Sequence, residues 1–312
     1  MRDFSSRIPL DSPAMASVML RDFRTGAAAY CRTEVAKDWA ISLPFEHGVR
    51  FHFVARGQCW VRAEQIEPVL LEAGDLALLP HGVGHTIASS SDAPARPIET
   101  LGLEAVSASE FRLTLGRPGE GSLIQCVTVS FSDPKAELVI AAMPELLVLR
   151  RGEHDHEALA SVLDLMAAEL SADRPGSDAI RARLADAAIS MIVRNWAETA
   201  QDRPAWLKPD ADPRILKAIQ AIHAEPGKNW TLPALAAIAG MSRTLFIERF
   251  TSIMGMPPGR YIVKTRAVIA NHLLRDSTLN LAQIAQRLGY SDATAFSRAY
   301  RNWTGVAPSA VR

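Results

Sequence analysis

The sequence predicts an α+β chain: an N-terminal β-barrel with following helices over residues 1–200, a linker over 201–211, and an all-α domain with two helix-turn-helix units over 212–312. Three observations carry this. Short apolar runs broken by Gly and Pro fill the first 130 residues, helical periodicity takes over after 135, and the last hundred residues hold one helical pattern written twice. At roughly 100–200 residues per domain, a chain of 312 residues suits two domains, and its 48% hydrophobic composition can supply a core to each.

The β-rich part is read from runs such as Arg50-Phe51-His52-Phe53-Val54 and Leu76-Ala77-Leu78-Leu79. Turn signals separate them at Gly57, at Gly74-Asp75, at Pro80-His81-Gly82 and between Gly116 and Gly121, a spacing that suits a small antiparallel barrel or sandwich. Two helices follow. Leu159, Val162, Leu163, Met166 and Leu170 keep one apolar face, and Ile180, Leu184, Ala188, Met191 and Ile192 keep another. Arg174-Pro175-Gly176 separates them, with Ser177 or Asp178 as the expected cap. The segment QDRPAWLKPDA at 201–211, with two prolines, reads as the linker.

The repeat occupies Thr231–Pro258 and Leu279–Pro308. Leu232, Ala236 and Gly240 match Leu281, Ala285 and Gly289 at an offset of 49, whereas Phe246, Phe250 and Gly255 match Phe296, Tyr300 and Gly305 at an offset of 50. The second copy thus has one extra residue near the start of its second helix. The alanines suit a close helix crossing, and the glycines suit a turn of positive φ. Ser242 and Asp292 are placed as N-caps. The aromatic pairs, four residues apart, face the core. Between the copies Pro258–Leu274 reads as a spacer helix, with Arg260, Lys264, Arg266 and Arg275 available to phosphates.

That packing leaves one face of each second helix free. It carries Arg243, Thr244, Ile247, Glu248 and Thr251 in the first copy, and Ala293, Thr294, Ser297, Arg298 and Arg301 in the second. Helix-turn-helix units lay this face in the major groove of double-stranded DNA, where Arg pairs with guanine edges and Ser, Thr and Ala meet other edges and methyl groups.

Charge points the same way. The whole chain balances at 34 basic against 34 acidic residues, but from Asp212 onward 13 Lys and Arg face 5 Asp and Glu. A basic end on an acidic remainder implies a polyanionic partner for that end. There is no apolar run long enough to span a membrane, and residues 1–13 lack the apolar stretch of a secretion signal, so a cytoplasmic setting without membrane partners is expected. The three cysteines, Cys31, Cys59 and Cys126, form neither a CxxC pair nor a disulfide framework.

The repeat resembles the DNA-binding domain of the AraC/XylS family of bacterial transcription regulators. The resemblance covers 212–312 and is carried by Trp230-Thr231-Leu232, Ala239-Gly240-Met241-Ser242-Arg243, Met256-Pro257-Pro258-Gly259-Arg260-Tyr261, Leu288-Gly289-Tyr290, Ala295-Phe296-Ser297-Arg298-Ala299-Tyr300 and Gly305-Val306-Ala307-Pro308. It departs at Thr265, where relatives tend to have Trp, and at Glu248, an acid on the DNA-facing side. The N-terminal half resembles the cupin-type sensor domain of a subset of that family: Gly74-x5-Pro80-x-Gly82-x2-His85 follows the second cupin motif, with Ser89 in place of its Asn. The resemblance implies a transcriptional regulator, here taken as an activator, that binds double-stranded DNA and a small-molecule effector, pairs as a homodimer and meets RNA polymerase.

His52 and His85 are the candidate effector-pocket residues. A zinc site would need Cys31 or Cys126 beside them, but the first cupin motif lacks its HxH pair and places Arg50 near the register of its Glu. The sequence therefore predicts no metal, no cofactor and no catalytic residues. His154 and His156 read as part of a solvated connection. Three alternatives stay open: a cupin oxygenase or isomerase fused to a DNA-binding tail, an alkyl-transfer repair protein using one of the cysteines, and a regulator whose cupin only dimerises.

Overall fold

The computed structural model describes residues 25–311 except 118, 134–135, 154–155, 173, 202 and 209–210, with backbone alone at 156, 170–172 and 276. The expectations placed on residues 1–13 and on His154 lie outside the described residues, as does the His156 side chain. The described residues form two compact units: one takes in the chain up to Asp133 and Val139–Ala200, and the other takes in the chain from Gln201 onward together with the short segment that ends at Leu138.

In the first unit, β1 (Thr25–Val35), β3 (Val49–Arg56), β6 (Leu76–Leu79), β9 (Glu104–Ala105), β10 (Glu110–Leu115), β11 (Ser122–Phe131) and β12 (Leu147–Leu149) make a seven-stranded sheet. Its order is β12-β6-β3-β11-β1-β10-β9. A second sheet, in the order β5-β4-β7-β2-β8, is built from β2 (Ala40–Leu43), β4 (Gln58–Ala63), β5 (Ile66–Glu72), β7 (His85–Ala88) and β8 (Arg96–Pro97). The sheets share one core, in which Val35, Val54, Leu113 and Ile124 meet Ile41, Val61, Leu71 and Ile87. The predicted barrel is thus a two-sheet sandwich: no ladder among the described residues closes it. Two parallel pairings, β1 with β10 and β2 with β8, also depart from the all-antiparallel expectation. The two-residue strands β8 and β9 end their sheets as short edges that offer little backbone to a foreign strand.

Helix α1 (Ala136–Ile140) leads to the hairpin of α2 (His156–Ala172) and α3 (Ser177–Thr199). On α2 Leu159, Leu163 and Met166 are buried as the periodicity predicts. On α3 the buried face is rotated by about one residue. It runs through Arg181, Ala185, Ala188, Ile189, Ile192 and Trp196, while Ile180 is exposed. The cause is Arg181, which enters the packed side because Nη1 pairs with the Glu110 carboxylate 3.2 Å away and Nη2 with Asp178. The N-cap is Gly176 rather than Ser177 or Asp178; the Ser177 hydroxyl donates instead to Glu169 at 2.7 Å.

The second unit is helical. A 3-10 turn at Ala205–Leu207, with Trp206 and Leu207 buried, lies within the expected linker. Then come α4 (Pro213–Ala224), α5 (Leu232–Ile238), α6 (Arg243–Met254), α7 (Pro258–Asp276), α8 (Leu281–Arg287) and α9 (Ala293–Thr304). Five of these six starts are capped by a side chain: Asp212 for α4, Thr231 for α5, Ser242 for α6, Asn280 with Gln283 as a capping box for α8, and Asp292 for α9; α7 instead starts on Pro258, behind Pro257, without a side-chain cap. The spacer α7 has 19 residues and reaches two residues beyond its predicted end, about 28 Å at 1.5 Å per residue.

The turn glycines are not equivalent. Gly240 and Gly289 both have positive φ, 61° and 74°. A Cβ on Gly240 would meet nothing within 4 Å, whereas one on Gly289 would lie 1.9 Å from the carbonyl oxygen of Gly227. Gly240→Ala should therefore cost only the left-handed backbone term, about 1–2 kcal/mol. Gly289→Ala must also displace main chain, so its urea midpoint is expected to fall much further; equal midpoints would contradict this close approach.

Candidate functional site

The two candidate recognition helices have one construction. Phe246 and Phe250 of α6, and Phe296 and Tyr300 of α9, are buried. Against α6 the Phe250 ring meets Tyr261 of α7, with centroids 5.6 Å apart. Against α9 the core is formed by Ile269, Ala270, Leu273 and Leu274 of α7 with Ile284, Ala285 and Leu288. Opposite these anchors, Arg243, Thr244 and Glu248 are exposed and Ile247 is half-buried. On α9 Thr294, Arg298 and Arg301 are exposed, with Ala293 and Ser297 half-buried. Asp292 caps α9 by accepting from Ala295 N at 2.8 Å. That backbone hydrogen bond is the main cause that holds its carboxyl below the usual range.

The accessory cations divide. Arg266 is committed inside the domain: Nε donates to the Pro226 carbonyl at 2.8 Å, Nη2 donates to the Lys228 carbonyl at 2.9 Å, and the guanidinium lies over the Tyr290 ring. It ties down the turn after α4 rather than standing free for phosphate. Lys264 is half-buried, and desolvation lowers its pKa. Arg260 is exposed, over the Trp303 ring at 5.7 Å.

The other candidate site lies between the sheets. Register puts Cys126 of β11 opposite Cys31 of β1 on one side and opposite His52 of β3 on the other. These three, with Arg50 two residues before His52 and Thr128 two after Cys126, line a cavity of about 210 Å³. Its apolar lining includes Ile41, Leu43, Ile87, Ile98 and Leu113. Arg50 donates to Thr128 Oγ1 and to the Pro44 carbonyl, each at 3.2 Å, and pairs with Glu46. The two predicted histidines do not share the cavity lining. His52 lines the cavity, whereas His85 stands behind it, with 2.7 Å between their Nε2 atoms, and lines an adjacent open groove. Among the described residues no group of three or more His, Cys, Asp and Glu side chains is disposed to hold a metal ion.

Both histidines are buried, and desolvation is the main cause that pushes His85 down to about 4 and His52 well below 6.5. Unfolded, both titrate near 6.5, so the unfolded chain binds more protons below that pH. Their contribution is complete above about pH 6.5 and is lost as pH falls toward 4, on the order of 3 kcal/mol for His85 alone. Urea midpoints at pH 7.5 and 4.5 should differ less in His85→Gln than in the wild type. An unchanged difference would remove His85 from the acid response.

Sequence reading missed three parts of this unit. Arg50 was legible: at period two it shares the His52 face of β3. The Arg181–Glu110 pair left no local signal, since its partners lie 71 residues apart. In the sequence Asp75 reads only as a turn residue. Buried, it accepts from Arg150 Nη1 at 2.6 Å and from the backbone N–H groups of Glu72 and Arg151, so it fastens the β5–β6 turn to the end of β12.

Known proteins match this two-part arrangement. The family model described as Cupin matches residues 16–198, and the model described as Helix-turn-helix domain matches residues 235–312. The HTH-type transcriptional regulator AlkR of Acinetobacter baylyi is 27% identical over 310 residues, covering 95% of this chain and 98% of its own. A Streptomyces lividans protein named as an AraC-like transcription regulator is 28% identical over 278 residues, 88% of this chain and 90% of its own. Among solved structures, the DNA-binding domain of AdpA in complex with a target DNA is 27% identical and covers 31% of this chain and 87% of that domain, with a TM-score of 0.30. The cupin match over more than half the chain, the helix-turn-helix match after it and relatives aligned across nearly their full length lead to one assignment: this chain belongs to the AraC/XylS-type transcriptional regulators that carry an N-terminal cupin domain.

Proposed function

We propose that this DNA-binding regulator is ligand-responsive: a small effector occupies the cavity between the cupin sheets and biases how the helix-turn-helix domain meets its operator. The observation that carries the reading is the cavity itself, whose inner surface is aliphatic on one side and holds Arg50, His52 and Cys126 on the other. Mostly apolar pockets with a few convergent polar groups are the usual form of small-molecule sites. The response would be a coupling free energy between effector and DNA, equal in both directions. Arg243, Thr244, Ile247 and Glu248 of α6, and Ala293, Thr294, Ser297, Arg298 and Arg301 of α9, are proposed as the groove-facing residues. A homodimer on paired half-sites, activation through contact with RNA polymerase and a cytoplasmic location complete the proposal. No helix among the described residues is long and apolar enough to cross a membrane.

The test joins two measurements. Genomic footprinting of the tagged protein gives the operator and its half-site spacing. A thermal-shift screen of small molecules, repeated with operator present, then reads the coupling. A ligand that raises Tm and changes operator affinity is expected. Operator binding that no stabilising ligand alters would leave a regulator whose cupin only dimerises.

A further inference from the structure

We propose that Cys126 is a covalent capture site for a small, uncharged α,β-unsaturated carbonyl compound that enters the cupin cavity, with His52 as the base that accepts the thiol proton. The proposal rests on the reading of the cavity as the effector pocket. Its starting point is a chain of three hydrogen bonds. His85 Nδ1 lies 2.8 Å from the Val83 carbonyl oxygen, so this nitrogen carries the hydrogen and donates. In a neutral imidazole the other nitrogen is then bare. His85 Nε2 therefore accepts from His52 Nε2, 2.7 Å away. His52 Nδ1 is left as an acceptor 3.0 Å from Cys126 Sγ, and the thiol donates to it. One backbone carbonyl thus assigns the proton on every ring nitrogen along the chain. The result is a nucleophile against a base, and a base oriented by a third group, the arrangement that activates covalent nucleophiles.

The surroundings choose the chemistry. Burial keeps His52 and His85 neutral and pushes the Cys126 thiol up, so the resting pair is uncharged and the thiolate is scarce. A ligand at Cys126 lies in a cavity lined by Ile41, Leu43 and Ile87, where the lining guanidinium, Arg50, is already paired with Glu46; it should carry no net charge, because an unpaired buried charge is costly. An activated alkene meets that demand and needs no other reactant. As the bond from Sγ to the ligand's β-carbon forms, the alkene π pair moves toward the carbonyl to give an enolate, and the thiol proton passes to His52 Nδ1. His52 then returns that proton to the ligand's α-carbon. The product is a thioether whose mass is that of protein plus ligand, with no leaving group and no change in the number of electrons.

The experiment treats the folded full-length chain with stoichiometric 2-cyclohexenone and follows intact mass and peptide mapping over time. The same protein in urea, where all three thiols are open, is the reference. One adduct is expected, on Cys126 before Cys31 or Cys59. It should be absent from that peptide in Cys126→Ser and slower by about a hundredfold in His52→Gln, the size of a general-base contribution. First labelling at Cys31 or Cys59, no adduct in the folded chain, or an unchanged rate in His52→Gln would each overturn the proposal. If His52→Gln does not fold, the order of labelling in the wild type decides alone. The effector reading fails separately: stabilising ligands that bind reversibly, with no adduct, sink covalent capture but keep the pocket. An adduct at Cys126 that leaves operator affinity unchanged supports capture and counts against coupling.

Discussion

Phe296→Ala is expected to lower the stability of the DNA-binding domain by about 3–5 kcal/mol, the largest effect of any single truncation on the α9 face. Phe296 is 1% exposed, and its ring touches Tyr290 and Tyr300, both with centroids at 5.7 Å. Around it stand Ile269, Ala270, Leu273 and Leu274 of α7 and Ile284, Ala285 and Leu288 of the α8 side. With Phe296 itself these side chains come from three helices, so a cavity there is not readily filled by the shift of one of them. Domains are stable by only about 5–15 kcal/mol, and the lost contacts hold the helix proposed to enter DNA. Urea unfolding should show a midpoint far below wild type, and operator binding should fall with it. Val306→Ala, at a side chain 46% exposed, should change stability by less than about 0.5 kcal/mol. A loss below about 1 kcal/mol for Phe296→Ala would mean that the helices collapse into the space.

The reason Phe296 could be found from sequence is that its constraints are local. The repeat sets Phe296 and Tyr300 one turn apart, and the caps Ser242 and Asp292 are spelled in the residues beside the helices they start. Even the insertion can be placed: helices α5 and α6 are separated by Ala239–Ser242, and α8 and α9 by Leu288–Asp292. The extra residue therefore sits in the turn between Gly289 and the cap Asp292, ahead of the helix rather than inside it. What sequence hid depends on pairing across distance. Arg181 breaks an apolar pattern, so periodicity placed the buried face of α3 through Ile180; only the position of Glu110 shows why a cation belongs inside. The barrel expected from short strands is two open sheets, one ending in β12 and β9 and the other in β5 and β8, and which strands end a sheet has no signature in composition. His85 follows its motif, yet its place behind His52 is set by the register of β2 and β7 in the sheet opposite. Arg266 looked like a phosphate ligand until the turn after α4 supplied its acceptors.

The second large effect concerns DNA. Arg298→Ala is expected to weaken operator binding by about 1–3 kcal/mol, the range for an Arg that reads a base edge, and Thr244→Ala by clearly less. The proposed faces differ in charge. On α6 the exposed Arg243 is offset by the exposed Glu248, whereas on α9 Arg298 and Arg301 are both exposed with no acidic residue on that face. Asp292, just ahead of α9, is engaged with the backbone N–H of Ala295 as its cap. Attraction to a polyanion should therefore be concentrated on the second unit. Salt separates the two contributions. Each phosphate neutralised adds about −0.9 to the slope of log K against log salt, so an Arg298 that reads a base should change affinity on the operator with little change in slope, while one that touches phosphate should change both on any sequence. Glu248→Gln should strengthen binding to unrelated DNA, since it removes a like charge from the surface facing the phosphates, and should narrow the gap between operator and non-operator. Titrations of the four proteins against operator and random duplexes at two salt concentrations give all of these quantities. A larger loss from Thr244→Ala than from Arg298→Ala would reverse the assignment and make α6 the principal reading helix.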